Sequence, residues 1–229
     1  MSQENSLILF IGKIQNKSFQ RTTLCFNDDF FLSVKEQNHH KTPSLTELRE
    51  ILWTNRKLVG SVNEVWPKLY IGDESVARDK TRLSSLGVTH VLNAAAGQHR
   101  INTGQTFYTD IEVVYHGVEA ADHPEFNLQP FFNSAAQFID SALKENGKVL
   151  VHCAMGVSRS GALVLAYLMI HQGLTLAEAI VAVRLCRDIG PNSGFLEQLR
   201  KLELSLHTQS RQTAEDSSQC CGTRSWSWS

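Results

Sequence analysis

The stretch Lys148–Gln172, KVLVHCAMGVSRSGALVLAYLMIHQ, constrains this chain more than any other. Its first residues, Lys148–His152, form a short apolar run of strand length. Its last, Ser160–Gln172, predict a long apolar helix stopped by Gly173, the residue type that accepts a left-handed helix terminus. Between them lie only Cys153 to Arg159. A buried strand passing through a tight turn into a buried helix is half of a βαβ unit and calls for a parallel sheet. On these residues alone, Cys153 is either a nucleophile in an anion-binding loop or a thiol that ends a core strand.

The same alternation runs from Pro43 to His207. Ser44 and Glu47 form a capping box for a helix carrying Leu45, Leu48 and Leu52. Trp66-Pro67 breaks the chain ahead of a strand at Lys68–Ile71, and Asp73 or Ser75 is placed to cap a helix ending near Leu86-Gly87. Val88–Asn93 and Glu112–Val118 predict two further strands, and Phe126–Leu143 has helical spacing. Thr175 and Glu178 form a second capping box. Gly190-Pro191 separates that helix from a last one at Gly194–Leu204. The expected fold is α/β with a mostly parallel sheet, whose ligands sit where strands end and helices begin.

The flanks differ. Residues 1–42 show no clear period and are expected to be an irregular tail. Residues 208–229 are polar and poor in aliphatics, and are expected to be disordered. The net charge of −1 argues against a bulk electrostatic partner such as duplex nucleic acid. No apolar run approaches a membrane span. Leu7–Ile11 follows Glu4 and no basic residue, which makes a poor signal peptide. The five cysteines have neither disulfide-framework nor metal-ligand spacing, as expected of reduced thiols in the cytoplasm, with the nucleus also open to the protein.

At the strand-to-helix junction the chemistry is specific. Gly156 lets the turn tighten, so that backbone N–H groups and the helix N-terminus form an anion site. Arg159 adds a planar fork suited to two phosphate oxygens. The same positive potential lowers a thiol pKa, which makes Cys153 a thiolate placed for attack on phosphorus. The Ser160 hydroxyl is next to the arginine and can stabilise the departing thiolate.

His152 to Ser160, HCAMGVSRS, resembles the signature loop of the protein tyrosine phosphatase superfamily. VLVHC before it and SRS with ALVLAYLM after it resemble the dual-specificity branch. EVWPKLYIGD, LGVTHVLNAA, FYTDIEVVYHGVEAADHPEFNL and RDIGPNSGFLEQL are similar to atypical dual-specificity phosphatases, especially the testis and skeletal-muscle group. The resemblance covers 43–207. It implies a three-layer protein tyrosine phosphatase fold, with a central sheet of about five strands flanked by helices. It also implies hydrolysis of phosphotyrosine and phosphoserine or phosphothreonine in proteins through a phosphocysteine, without a metal or other cofactor.

Residue by residue, the resemblance makes Cys153 the nucleophile and Arg159 the phosphate-binding and transition-state-binding side chain. Ala154, Met155, Gly156, Val157 and Ser158 supply the phosphate-loop backbone, and His152 tunes the thiolate. The general acid is expected on a loop about thirty residues before the cysteine, where Asp122 lies; Asp110, Glu119 and Glu125 are its rivals. An aspartate two residues before a proline is also a common turn or cap residue. Arg187 matches a position lining a second basic pocket, or is a solvated cation near a helix end. Asn192 matches a residue beside the phosphate loop, or is a plain helix cap. Asn93 is expected to brace the loop. The loop interior, with Ala154, Met155 and Val157, carries no charge, which argues against a phosphoinositide preference. The implied partners are phosphoproteins, with MAP kinases a candidate class although the N-terminal segment has no dense basic cluster to dock them; nucleic acid and membranes are not expected, and a homodimer is compatible with the sequence.

Overall fold

The computed structural model describes residues 42–54, 56, 59–97 and 101–219, with side chains as far as 209. The expected irregular tail thus lies outside the described residues, except for Thr42. The first element is α1 (Leu45–Trp53), and Ser44 and Glu47 close the expected capping box on it. Strands β1 (Val62–Trp66) and β2 (Leu69–Gly72) form an antiparallel pair. After β2 come α2 (Glu74–Arg78), α3 (Lys80–Leu86), β3 (His90–Asn93) and β4 (Val114–Gly117). Helix α4 (Phe132–Lys144), strand β5 (Val149–His152), and helices α5 (Arg159–Gln172), α6 (Leu176–Arg184) and α7 (Ser193–Gln219) complete the order.

The strands form one five-stranded sheet in the order β1-β2-β5-β3-β4. Both neighbours of β5 run parallel to it, and only the edge pair β1–β2 is antiparallel. Alternation along β5 divides the core. Val149 and Val151 join the larger cluster with α1 and α4 to α7, while Leu150 joins Val76, Leu83, Val91 and Tyr108 on the opposite face. This is the expected three-layer α/β arrangement. Helix α5 has no polar face, because every residue from Arg159 to Met169 is buried between the sheet and α4, α6 and α7. Its end at Gly173 is left-handed, as expected.

Four local features differ from the sequence reading. Strand β1 runs up to Trp66, just ahead of Pro67, and was not expected; its burial alternates too weakly to reveal it. The helix expected from Asp73 or Ser75 to Leu86 is two helices, because Asp73 caps the first and Asp79 caps the second. A 3-10 segment fills Gln105–Ile111. The last helix runs on through 208–219, where a polar tail was expected. Phe195, Leu196 and Leu199 pack its first turns, so the nucleation cost is already met, and no glycine or proline interrupts the chain before Gly222. Residues 220–229 lie outside the described ones.

Leu165→Ala, in the middle of α5, is expected to lower the unfolding free energy by about 2–5 kcal/mol in a urea titration, because the packed surroundings cannot close on the lost side chain.

Candidate active site

Strand β5 ends at His152, which is in register with Gly72 on β2 and Asn93 on β3; Asn93 in turn faces Gly117 on β4. The loops leaving this edge meet above the strand between β2 and β3, where the chain order of the sheet reverses. Open α/β sheets build their ligand sites at this position.

Residues 153–159 form a loop whose peptide planes are held one by one. The carbonyl of Ala154 accepts from the N–H of Glu74 at 3.1 Å. That of Met155 accepts from Arg187 Nη2 at 3.2 Å, and that of Gly156 from Arg187 Nε at 2.8 Å. That of Val157 accepts from the N–H of Gly190 at 3.1 Å. A planar trans peptide directs its N–H opposite to its C=O. Four successive carbonyls fastened outward therefore turn the N–H groups of Met155 to Ser158 toward the inside of the loop. Gly156 is required twice over. Its φ is +65°, and a Cβ there would lie 2.5 Å from the Gly72 carbonyl oxygen.

Ser158 stands before α5 but does not cap it with its side chain. The first N–H groups of the helix stay available, and the hydroxyl instead donates to Asp122 Oδ1 at 2.7 Å. Arg159, only 8% exposed, donates from Nη1 to the Ala120 carbonyl at 3.2 Å. Its Nε is 3.5 Å from Asp122 Oδ2 and makes no hydrogen bond among the described residues. A buried guanidinium with a spare donor, beside a ring of inward N–H groups, is suited to a tetrahedral oxyanion.

Cys153 lies at the bottom of the loop, 2% exposed, with Sγ 3.3 Å from Ser160 Oγ. Burial pushes the thiol up. The Ser160 hydroxyl, the N–H groups of Ser160 and Val157, and the Arg159 guanidinium outweigh it, so the thiol titrates below its ordinary value. His152 is fully buried, and burial pulls its pKa down to about 4. Its ring is neutral at pH 7 and lends the thiolate no charge.

Among the acid candidates, Asp122 is the one joined to the loop, through Ser158 and Arg159. Asp110 instead pairs with Lys80 at 2.6 Å, and Glu119 and Glu125 are exposed. Asn192 does both things proposed for it. Its Oδ1 caps α7 by accepting from the N–H of Phe195 at 3.0 Å, and its Nδ2 donates to Asp122 Oδ1 at 3.0 Å. Asn93 braces the neighbouring segment by donating to the Ile101 carbonyl, Thr103 Oγ1 and Tyr115 Oη, and by accepting from the N–H of Ala95.

Arg187 is a correction. It is 3% exposed; besides the two loop carbonyls it donates to the Gly60 carbonyl and Asn63 Oδ1, both at 2.7 Å. Neither the solvated cation nor the pocket-lining one describes it, because its four hydrogen bonds hold the loop from behind. The Ser158 hydroxyl and the donors from Glu74 and Gly190 were missed. Two of those are backbone groups, for which residue type carries no signal. The remaining side chain at the mouth is Met155, which is 74% exposed.

Residues 69–205 match the dual specificity phosphatase catalytic domain. The chain belongs to the dual specificity phosphatase family. It is 49% identical over 169 residues to human dual specificity protein phosphatase 13B, covering 73% of this chain and 85% of that one. Crystal structures with the same fold include human DUSP28 (30% identity, TM-score 0.58, 66% of this chain and 97% of that one). Another is a mouse protein assigned as a dual specificity phosphatase, in complex with zinc tungstate (30% identity, TM-score 0.59, 69% of this chain and 96% of that one). The expected family is thus the observed one, and the chain is a cysteine-dependent protein phosphatase.

Because hydrogen bonds hold the Cys153 thiol below its ordinary pKa, its alkylation by iodoacetamide is expected to persist below the usual thiol range and to fall only as the pH drops through the lowered value. In Ser160→Ala the midpoint of that profile is expected to move up, since the hydroxyl's hydrogen bond to the sulfur is gone.

Proposed function

We propose that Cys153 dephosphorylates phosphotyrosine, phosphoserine and phosphothreonine side chains in two steps. In the first, the thiolate attacks phosphorus, the S–P bond forms and the P–O bond to the side chain breaks. Asp122 gives its proton to the leaving oxygen. In the second, water attacks the phosphocysteine, Asp122 takes the water's proton, and the S–P bond breaks to return the thiolate and inorganic phosphate. Ser160, at 3.3 Å, donates to the thiolate as it leaves. Arg159 and the inward N–H groups bind the equatorial oxygens throughout, most strongly as charge builds in the transition state. His152, buried and neutral, fills the base of the loop. Asn192 and Ser158 orient Asp122.

The observation that carries this reading is the fastening of four consecutive loop carbonyls away from the thiol. The mouse relative was crystallised in complex with zinc tungstate, and tungstate is a tetrahedral oxyanion of the kind this loop is suited to hold. Each group in the scheme comes from the chain. Met155, exposed and apolar, offers the phosphorylated residue a hydrophobic lip rather than a charge. MAP kinases remain a candidate substrate class, but Arg187 is not free to take a second phosphate. The reaction needs a reduced thiol, which supports the cytoplasm, or the nucleus, as its location.

Cys153→Ser is expected to abolish hydrolysis of an aryl phosphate while vanadate still binds, as read by turnover and by titration calorimetry. Full activity in that variant would sink the mechanism. Asp122→Asn is expected to lower kcat/KM on phenyl phosphate by about 100-fold or more, and much less on an activated aryl phosphate, because only the poor leaving group needs the proton. If Glu119→Gln produced that pattern instead, the acid would be Glu119.

A further inference from the structure

The segment that carries Asp122 is attached to α7 along its length. At one end, Asn192 donates to Asp122 Oδ1 at 3.0 Å. Two residues on, Gly194 lies so close to the segment that a Cβ would stand 1.7 Å from the Pro124 carbonyl oxygen and 2.8 Å from Pro124 Cα. The obstruction is backbone, so no side-chain rotation relieves it. One turn further along α7, Gln198 joins three backbone groups. Its Oε1 accepts from the N–H of Leu128 at 2.7 Å and of Gln129 at 3.0 Å, and its Nε2 donates to the Phe126 carbonyl at 2.9 Å. Leu128 is fully buried, so its N–H has no access to water and depends on this amide.

These contacts have a common property. None of the hydrogen bonds of Gln198, and none of the close contacts at Gly194, reaches residues 153–159. Asn192, by contrast, also donates from its backbone N–H to Ser158 Oγ, at 3.2 Å. Gly194 and Gln198 therefore act on the acid segment without touching the phosphate loop.

We propose that the first turns of α7 are the platform that sets the position of the general acid, with Gly194 and Gln198 as positioning residues acting through Asp122. The proposal rests on the assignment of Asp122 above. Its physical basis is that proton donation demands hydrogen-bond reach to the leaving oxygen, whereas binding of the phosphoryl group is set by the loop alone. Gly194 lets the backbone at Pro124 settle onto the helix, which fixes the height of Asp122 over the loop. Gln198 pins the far end of the segment, where it turns into α4.

The test uses the full chain and a series of aryl phosphates ordered by leaving-group pKa. In Gln198→Ala and Gly194→Ala, kcat/KM is expected to fall about tenfold or more on the poorest leaving group, and less than about twofold on the best, with vanadate affinity unchanged. Gln198→Glu, which keeps an acceptor for Leu128 and Gln129 but loses the donor to Phe126, is expected to recover part of the loss. Asp122→Asn runs in parallel. If it steepens the leaving-group dependence while the α7 variants lower all substrates equally, or none, the platform is overturned and the acid assignment stands. Loss of vanadate binding in both α7 variants would also overturn it, because the contacts would then be serving the fold. If Asp122→Asn itself shows no leaving-group dependence, the acid assignment fails and takes the proposal with it.

Discussion

The site depends on the direction of four peptide planes. Between Ala154 and Val157 each carbonyl is held outward by a donor from elsewhere in the chain: the N–H of Glu74, two nitrogens of Arg187, and the N–H of Gly190. The inward N–H groups are the consequence. A free loop could satisfy its own carbonyls with water and point its amides anywhere. Here the rotation is decided before an oxyanion arrives, so little reorganisation remains to be done when charge develops in the transition state. Arg187 matters for this reason, buried behind the loop.

The same arrangement resolves the conflict over Cys153. A thiolate buried to this degree is disfavoured by desolvation. Hydrogen bonds to a charged group contribute roughly 1.5–3 kcal/mol each, so a few of them offset that cost. The Ser160 hydroxyl and the N–H groups of Ser160 and Val157 supply them, and Arg159 adds its charge. His152, neutral and buried, leaves this balance to the loop.

Asp122 and Cys153 stand on separate supports. The loop hangs between β5 and α5 and is held by α2 and the segment after α6. The Asp122 segment leaves β4 and rests on the start of α7. Ser158, Arg159 and Asn192 are where the two supports meet. The fastenings of the loop and those of the Asp122 segment are therefore largely distinct.

Much of this was legible in the residues. Both capping boxes, the glycine ending α5, the four parallel strands and the cysteine–arginine loop follow from local rules: cap chemistry, apolar periodicity and the spacing of charge at a helix start. Asp122 came from the resemblance, since an aspartate near a proline has ordinary uses. Strand β1, the break between α2 and α3, the helical run through 208–219 and the burial of Arg187 were not legible. Strand β1 exists by pairing with β2, the break between α2 and α3 follows the Asp79 cap, and Arg187 is buried because Met155, Gly156, Gly60 and Asn63, all distant in sequence, turn toward it. The sequence by itself determined the strand–loop–helix that carries Cys153 and Arg159, because that depends on residue type at short range. Only the tertiary structure decided which way the loop amides point and which carboxylate reaches them, because backbone direction is set by donors that no residue name records.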